Sequence, residues 1–377
     1  MLVPKGLVKA VTVALWLTLA GASQAQIKLG VAGPTEGANA PSMLEVLRGA
    51  QLYMDFANKT GGVGGVKVEI VARNDDFKVD KTVEAARKLI EEDKVTALFL
   101  VRGTPHNQAL LPLLEQYQVP LIAPSTGATV FHEPVNKYVF NVRTAYRLEA
   151  EKLVKLLHTT GVSRIGVLHV GDGFGKDVLV GLEKGFAGAG LKPVLVREFD
   201  RDLASKDTMD FMAPVLQDLV KSDAQVFVVV GAGLAVKNAV AALREGGSGA
   251  RIATVSNNAS TGFIKLLGPN ADGVIVSQVF PNERTGSTPL VREALNLAKQ
   301  QNLELTPAMM EGYAAAKVVV QGLRHAGRKP TRESLQKALE NMKEFDLGGV
   351  TVGYSPTDHT GLTMTDLSII KRGAFQR

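Results

Sequence analysis

The chain has 377 residues, of which 45% are hydrophobic and 21% charged, the proportions of an ordinary folded protein. It contains no cysteine, which excludes disulfides, thiolate metal sites, a cysteine nucleophile and a lipid anchor on an N-terminal cysteine. The formal net charge is +6, but the basic residues are dispersed among acidic ones, so we expect no nucleic-acid partner.

The first segment has the pattern of a cleaved export signal. Lys5 and Lys9 precede an apolar run over residues 10–20, and small residues stand at the −3 and −1 positions of a cut after Ala25. This run is too short to span a bilayer, which takes roughly 20 apolar residues; the alternative is a buried first helix of the fold. We predict a signal peptide over residues 1–25 and a freely diffusing protein in the bacterial periplasm.

From Gln26 onward, short β-type runs alternate with amphipathic helical stretches. The predicted strands cover residues 27–32, 66–72, 95–101 and 119–123, and the predicted helices between them cover 41–59, 79–92 and 105–117. The strand runs are almost continuously apolar, as expected when helices cover both faces of a parallel sheet. This alternation predicts a doubly wound α/β sheet.

The same alternation restarts near residue 146. Helices are predicted over 148–158, 175–189, 209–221 and 234–245, and strands over 164–170, 193–199, 225–230, 252–255 and 273–276. Three helices over 289–300, 307–325 and 332–342 and two strands over 348–352 and 364–370 complete the chain. Because the late helices have no sheet of their own, we expect two α/β lobes, with these helices returning to the first.

Catalytic and nucleotide-binding motifs are weak. The glycine-rich segment 61–65 precedes a strand, the wrong order for a phosphate loop. Segment 171–176 misses the Walker spacing, and segment 231–233 lacks the third glycine of a dinucleotide fingerprint. The turn over 246–249 is followed by Ala250, where the nucleophile-elbow motif requires a glycine. The histidines are scattered, so we expect no metal site and no cofactor.

Polar residues follow two predicted first-lobe strands at their carboxyl ends, where open α/β sheets bind ligands. Arg102 and Thr104 follow one strand, and Ser125 to Gly127 follow another. Their hydroxyls, together with backbone N–H groups at a helix N-terminus, can hold a carboxylate. Helix capping alone would also place Thr and Ser at such positions.

Several further segments match one protein family in order and spacing. They are residues 27–34, 48–50, 58–63, 74–76, 119–126, 140–144, 272–274 and 313–315. Together they resemble the branched-chain amino acid type of periplasmic solute-binding protein, which serves ABC transporters, and the match runs from about Ile27 to Ile370.

The resemblance implies a type I periplasmic-binding fold, with two Rossmann-like lobes joined by a three-crossover hinge and a ligand held between them. It places crossovers near residues 143–146, 276–280 and 352–356. The N-terminal lobe would comprise residues 27–143 plus 280–353, and the C-terminal lobe residues 144–279 plus 354–377.

The resemblance also implies a set of ligand contacts. Thr104 and residues 125–127 would hold a ligand carboxylate, Phe174 would close from the second lobe, and Ser42 lies where the family often has a larger side chain. The full set of predicted ligand-binding residues is Ser42, Arg102, Thr104, Ser125, Thr126, Gly127, Tyr146, Phe174 and Asn257.

Two positions depart from the family's amino-acid binders. Where those proteins place an acid to pair with the ligand ammonium, this sequence has Ser-Asn-Asn at 256–258, and Ala232 stands near a tyrosine position. A buried ammonium without a countercharge would cost several kcal/mol, unless Glu149 or Asp172 substitutes for the missing acid.

Arg102 favours ligands other than leucine-like amino acids, because an arginine in the cleft can pair bidentately with any small carboxylate. The alternative role for Arg102 is a salt bridge on the protein surface. We expect a monomeric receptor of an ABC importer, not an enzyme, that closes around a small solute and delivers it to an inner-membrane permease. The solute is either branched-chain amino acid-like or a small carboxylate or amide, aromatic ones included. The alternatives are a solute-sensing subunit for a signalling receptor and an exported α/β hydrolase.

Overall fold

A computed structural model describes residues 26–377, so the predicted signal peptide lies outside the described residues. Within that range no helix has the length and apolar character needed to cross a bilayer. Two large sheets with helices packed against them, and one small two-stranded sheet, organise this part of the chain.

The first sheet is wholly parallel and has the strand order β2-β1-β3-β4-β5. Its elements, in chain order, are β1 (Ile27–Gly33), α1 (Ala40–Lys59), β2 (Val68–Asn74), α2 (Val79–Glu91), β3 (Ala97–Phe99), α3 (Thr104–Tyr117), β4 (Leu121–Ile122) and β5 (Val139–Phe140). The central strands are buried along their whole length, because helices cover both faces.

The second half repeats this arrangement. Its elements are α4 (Tyr146–Thr159), β6 (Ile165–Val170), α5 (Gly173–Gly188), β7 (Val196–Phe199), α6 (Arg201–Ala204), α7 (Leu216–Lys221), β8 (Val226–Val230), α8 (Gly233–Glu245), β9 (Arg251–Thr254), α9 (Thr261–Leu267) and β10 (Ile275–Gln278). The remaining elements are α10 (Pro289–Gln300), α11 (Pro307–His325), α12 (Arg332–Glu340), β11 (Phe345–Asp346), β12 (Thr351–Val352), β13 (Asp366–Lys371) and β14 (Ala374–Gln376). The second sheet has the order β14-β13-β10-β9-β8-β6-β7, with β13 and β14 antiparallel at its edge. The predicted pair of doubly wound lobes is confirmed.

Helix α11 packs along α1 and shares a core with it and with α10 and α12. The two helices approach closely because each has a glycine at the contact. A Cβ built on Gly49 would lie 1.9 Å from the carbonyl oxygen of Met309, and one built on Gly312 would lie 1.8 Å from that of Val46. The late helices therefore pack beside the first sheet.

The chain passes between the sheets three times: after β5, after β10 and after β12. The third connection stays against the first sheet for several residues. The Tyr354 hydroxyl donates to the Asn141 carbonyl at 2.6 Å, and His359 stacks on Phe140 with ring centroids 4.1 Å apart. The lobe boundaries at residues 143, 279 and 353 stay predictions.

Several predicted elements are shorter or interrupted in the structure; the strands predicted over 95–101 and 119–123, for example, are reduced to Ala97–Phe99 and Leu121–Ile122. The helix predicted over 209–221 is a short turn followed by α7, because Pro214 interrupts the helical hydrogen bonding. The strand predicted over 193–199 begins only at Val196. The strand predicted over 348–352 is reduced to Thr351–Val352, which pairs with β11 in a small hairpin.

Candidate functional site

A cavity of about 560 Å³ lies between the two sheets. Its walls come mainly from residues that follow strands at their carboxyl ends. Arg102 follows β3 and Ser125 follows β4, while Phe174 and Asn257 approach from the second sheet, after β6 and β9. Open α/β sheets bind ligands at this edge, so the two lobes present their ligand-binding edges to each other.

Seven of the nine predicted ligand-binding residues line this cavity. They are Ser42, Arg102, Thr104, Ser125, Tyr146, Phe174 and Asn257. Thr126 and Gly127 are not among the residues that line the cavity, and their direct contact with a ligand stays a prediction. The Thr126 hydroxyl is 2.7 Å from that of Thr104, and the Gly127 carbonyl accepts a hydrogen bond from the Tyr146 N–H at 2.6 Å. Both position cavity residues.

Arg102 joins the two walls of the cavity. Its Nη2 donates to the carbonyl oxygen of Asn257 at 2.8 Å. Burial lowers the pKa of Arg102, and the nearby Glu311 carboxylate works in the opposite direction. Among the described residues Arg102 forms no ion pair within 4.0 Å, so it is not held in a surface salt bridge. Its charge is available to a ligand.

The side chains of Asn257 and Ser42 differ in whether they are free to bind a ligand. The Asn257 side-chain N–H donates to the Gly231 carbonyl at 3.1 Å, and its buried Oδ1 has no hydrogen-bond donor among the described residues. That oxygen can accept a hydrogen bond from a ligand N–H or O–H. The Ser42 hydroxyl lies 2.5 Å from the Ser260 hydroxyl of the other lobe, so it already has a protein partner.

The two acids expected as substitutes for the missing family carboxylate are both committed to protein groups. Asp172 accepts from the N–H groups of Phe174 and Gly175 at 2.9 and 3.1 Å and pairs with Arg201. Glu149 is fully buried and accepts three hydrogen bonds from the backbone and hydroxyl of Ser256 and the hydroxyl of Ser277. The other acids among the described lining residues, Asp76, Asp80 and Asp202, are exposed to solvent.

A buried charge network below the cavity was missed by sequence reasoning. Arg143 is 2% exposed, donates to the Ser256 hydroxyl and lies 3.6 Å from Glu149 and 3.7 Å from Glu311. Burial opposes its charge, but the neighbouring Tyr146 and the two carboxylates raise the pKa of Arg143 above its ordinary value. Its guanidinium lies 5.0 Å from the centre of the Tyr146 ring, so the network orients a cavity residue.

Aromatic rings form much of the remaining wall. Tyr146 and Phe174 pack with centroids 4.9 Å apart, and Phe199 and Phe263 also line the cavity. Phe77 lines it too and stacks on His106 at 4.4 Å. Phe77 and Phe199 were not predicted, although each lies at the carboxyl end of a strand, the same signal that found Arg102.

His106 is a buried neutral support for Phe77. Burial, reinforced by the Arg201 charge, lowers the pKa of His106 to about 4. Arg201, which comes from the opposite lobe, lies 5.4 Å from the centre of the Phe77 ring. A cation over an aromatic face is attracted by the ring's quadrupole, so this contact also links the lobes. No cluster of metal-binding side chains occurs among residues 26–377.

Two α/β lobes with a polar and aromatic cavity between them define a class of two-lobed solute-binding proteins. The chain belongs to the periplasmic binding protein family, whose profile matches residues 26–371. This confirms the family resemblance and the type I periplasmic-binding fold.

Named relatives are similar over most of the chain. The sequence is 24% identical to "Leu/Ile/Val-binding protein homolog 3" of Brucella melitensis, over 93% of each chain. It is 26% identical to "Leu/Ile/Val-binding protein BraC3" of Rhizobium johnstonii, over 89% of this chain and 90% of that one.

Solved structures share the whole fold. A substrate-binding periplasmic protein from Ralstonia solanacearum is 28% identical, with a TM-score of 0.80 over 92% of this chain and 98% of that one. A branched chain amino acid ABC transporter protein from Thermus thermophilus with bound valine is 20% identical, with a TM-score of 0.77 over 94% of this chain and 95% of that one. The second similarity is one of fold alone.

Proposed function

We propose that the protein is the periplasmic receptor of an ABC importer, which captures a small carboxylate by closing its lobes and delivers it to a membrane permease. Membership of the periplasmic binding protein family supports the receptor role. The names of the Brucella and Rhizobium relatives favour amino-acid-like ligands, and the cavity chemistry narrows this choice.

The observation that carries the ligand class is the position of Arg102. Its guanidinium lines the cavity beside the hydroxyl-bearing residue Thr104, and arginine pairs strongly with carboxylates. The neighbouring Ser125 donates its hydroxyl proton to Glu311 at 2.7 Å, so Arg102 is the main carboxylate anchor. No buried carboxylate among the described lining residues is free to pair with an α-ammonium, because Asp172 is committed to Arg201 and to backbone N–H groups. We therefore propose a carboxylate that lacks an α-amine, with any further amide or hydroxyl directed to Asn257.

The rest of the ligand is apolar, with an aromatic ring favoured. A cavity of about 560 Å³ falls within the usual 300–1,000 Å³ range of small-molecule sites. The rings of Phe77, Tyr146, Phe174, Phe199 and Phe263 line it, and aromatic pairs add about 0.5–1.5 kcal/mol beyond their area burial. An aromatic ligand can contact rings of both lobes at once.

Closure follows from this division of contacts. Arg102 and Thr104 belong to the first lobe, while Phe174 and Asn257 belong to the second. A ligand can contact both sets only when the lobes are together, so binding shifts the population toward the closed state. A permease that recognises the closed state would then receive only loaded receptor.

The experiment that tests this proposal is a thermal-shift comparison of two matched pairs. Leucine is compared with 4-methylpentanoate, and phenylalanine with 3-phenylpropanoate; each pair differs only by the α-amine. A ligand at 100-fold excess over Kd stabilises the native state by about 2.7 kcal/mol. Shifts with the two carboxylates alone support the proposal, and shifts confined to the amino acids refute the ligand class. N-terminal sequencing of the exported protein, expected to start at Gln26, tests the location.

Uptake tests the transport role. A strain that lacks this receptor should lose uptake of the ligand that gives the thermal shift, and the wild-type chain should restore it. Unchanged uptake would contradict delivery to a permease. We also propose that the receptor is a monomer. Light scattering coupled to size-exclusion chromatography should therefore give the mass of one chain.

A further inference from the structure

At one rim of the cleft, an acidic residue that lies outside the ligand cavity connects the two lobes. Glu45 of α1 is not among the residues that line the cavity. Its carboxylate accepts hydrogen bonds from the backbone N–H groups of Thr261 and Gly262, at 3.1 and 2.6 Å. It also accepts one from the hydroxyl of Thr306, on its own lobe, at 2.8 Å. Glu45 therefore holds the first turn of α9 from across the cleft.

Two further contacts occur at this rim, which comprises residues 41–45 and 260–262. The hydroxyls of Ser42 and Ser260 are 2.5 Å apart. Gly262 lies against Pro41 so tightly that a Cβ built on it would be 2.5 Å from the Pro41 Cβ. The rim thus combines a charged contact, a hydroxyl pair and a steric fit that admits no side chain.

We propose that Glu45 is a closure latch, a positioning residue that stabilises the closed state whichever ligand is bound. This inference rests on the proposed function, in that the lobes separate and close. When they separate, the N–H groups of Thr261 and Gly262 lose their protein acceptor, whereas Glu45 keeps Thr306. Backbone donors at a helix start have no intrahelical partner and favour a negative charge. The contact therefore stabilises only the closed arrangement.

The latch has a distinctive effect on affinity. Because Glu45 does not line the cavity, weakening it should lower affinity for all ligands by the same factor. The apparent Kd of a ligand rises as the fraction of binding-competent protein falls. Glu45→Gln keeps the shape of the side chain but removes its charge, and loss of a charge-assisted hydrogen bond gives about a tenfold rise in Kd.

The test measures lobe separation directly. The chain has no cysteine, so Arg48→Cys in the first lobe and Lys265→Cys in the second give two unique spin-label positions, both exposed. Distance distributions are recorded without ligand and with 3-phenylpropanoate for wild type, Glu45→Gln and Gly262→Ala. Glu69→Gln, an exposed acid of the same lobe, is the matched charge control. Thermal unfolding checks that each variant is folded.

The latch predicts that Glu45→Gln and Gly262→Ala shift the ligand-free distribution to longer distances, while Glu69→Gln does not. It also predicts that Glu45→Gln raises the Kd of leucine, phenylalanine and the two carboxylates by one common factor, for whichever of them bind. A wild-type distance distribution and unchanged Kd in folded Glu45→Gln would overturn the latch. If none of the four compounds shortens the distance between the two spin labels in the wild type, the proposed function fails instead. The ligand-free distance distributions then still decide whether Glu45 stabilises the closed state.

Discussion

Replacing Arg102 should remove most of the ligand affinity, because this residue contributes to binding in two ways. Its Nη2 donates to the Asn257 carbonyl across the cleft at 2.8 Å, and the residue lines the cavity. Arg102→Ala deletes the cross-cleft bond and leaves a ligand carboxylate without a cation. Truncating one partner of a buried, hydrogen-bonded charge pair costs about 2–5 kcal/mol, which is roughly 30-fold to several thousandfold in Kd.

Isothermal titration with 3-phenylpropanoate measures this loss. Arg102→Lys should fall between wild type and Arg102→Ala, because lysine keeps the charge but loses the fork that reaches both Asn257 and the ligand. Arg251→Ala, which removes an exposed arginine of the second lobe, should bind like wild type. A Kd for Arg102→Ala within twofold of wild type would refute the role of Arg102 as a carboxylate anchor.

Three further predictions concern stability. Gly127→Ala places a Cβ 2.5 Å from the Thr144 carbonyl oxygen, so urea unfolding should show a loss of about 1–3 kcal/mol; unchanged stability would contradict the tight fit. Arg143→Met leaves two buried carboxylates without a cation and should cost about 3–5 kcal/mol, and adding Glu149→Gln should recover part of that loss; no recovery would argue against the network. The lowered pKa of His106 means that the unfolded chain binds the proton first, so stability falls as the pH drops from about 6.5 toward 4, by at most about 1.4 kcal/mol per pH unit for this group. His106→Phe should make that fall less steep without abolishing it, because burial also lowers the pKa of His132 to about 4. Urea unfolding at several pH values measures this, and the exposed-site variant His325→Gln should leave the fall unchanged.

Elements with strong local signals could be predicted almost to the residue. Helices α10 and α11 have the predicted bounds because each starts with a proline after a threonine. The side chains of Thr288 and Thr306 accept from the N–H groups of Val291 and Met309, as N-caps do. The helix predicted over 209–221 was wrong, although the signal, Pro214, was visible in the sequence.

The residues of the candidate site also fall into two groups, those that the sequence could identify and those that it could not. Arg102, Thr104 and Ser125 could be found because residues after strands of an open parallel sheet meet at one edge. The pairing of Arg143 with Glu149 and Glu311 could not be found, since it joins segments far apart in the chain and depends on how α4 and α11 approach each other. The commitment of Asp172 to Arg201 also depends on tertiary placement, and it is this pairing that removes the expected countercharge.

The close packing of α1 on α11 has a consequence for the order in which the molecule can assemble. The buried face of α1, including Met43, Val46 and Met54, is covered by a helix that begins only at Pro307. A chain that emerges from the ribosome at about 5–20 residues per second therefore exposes this face while some 250 further residues are made. The first lobe therefore cannot complete its core until nearly the whole chain has been made. That delay fits the proposed export of the chain, because passage through a translocation pore requires an unfolded polypeptide.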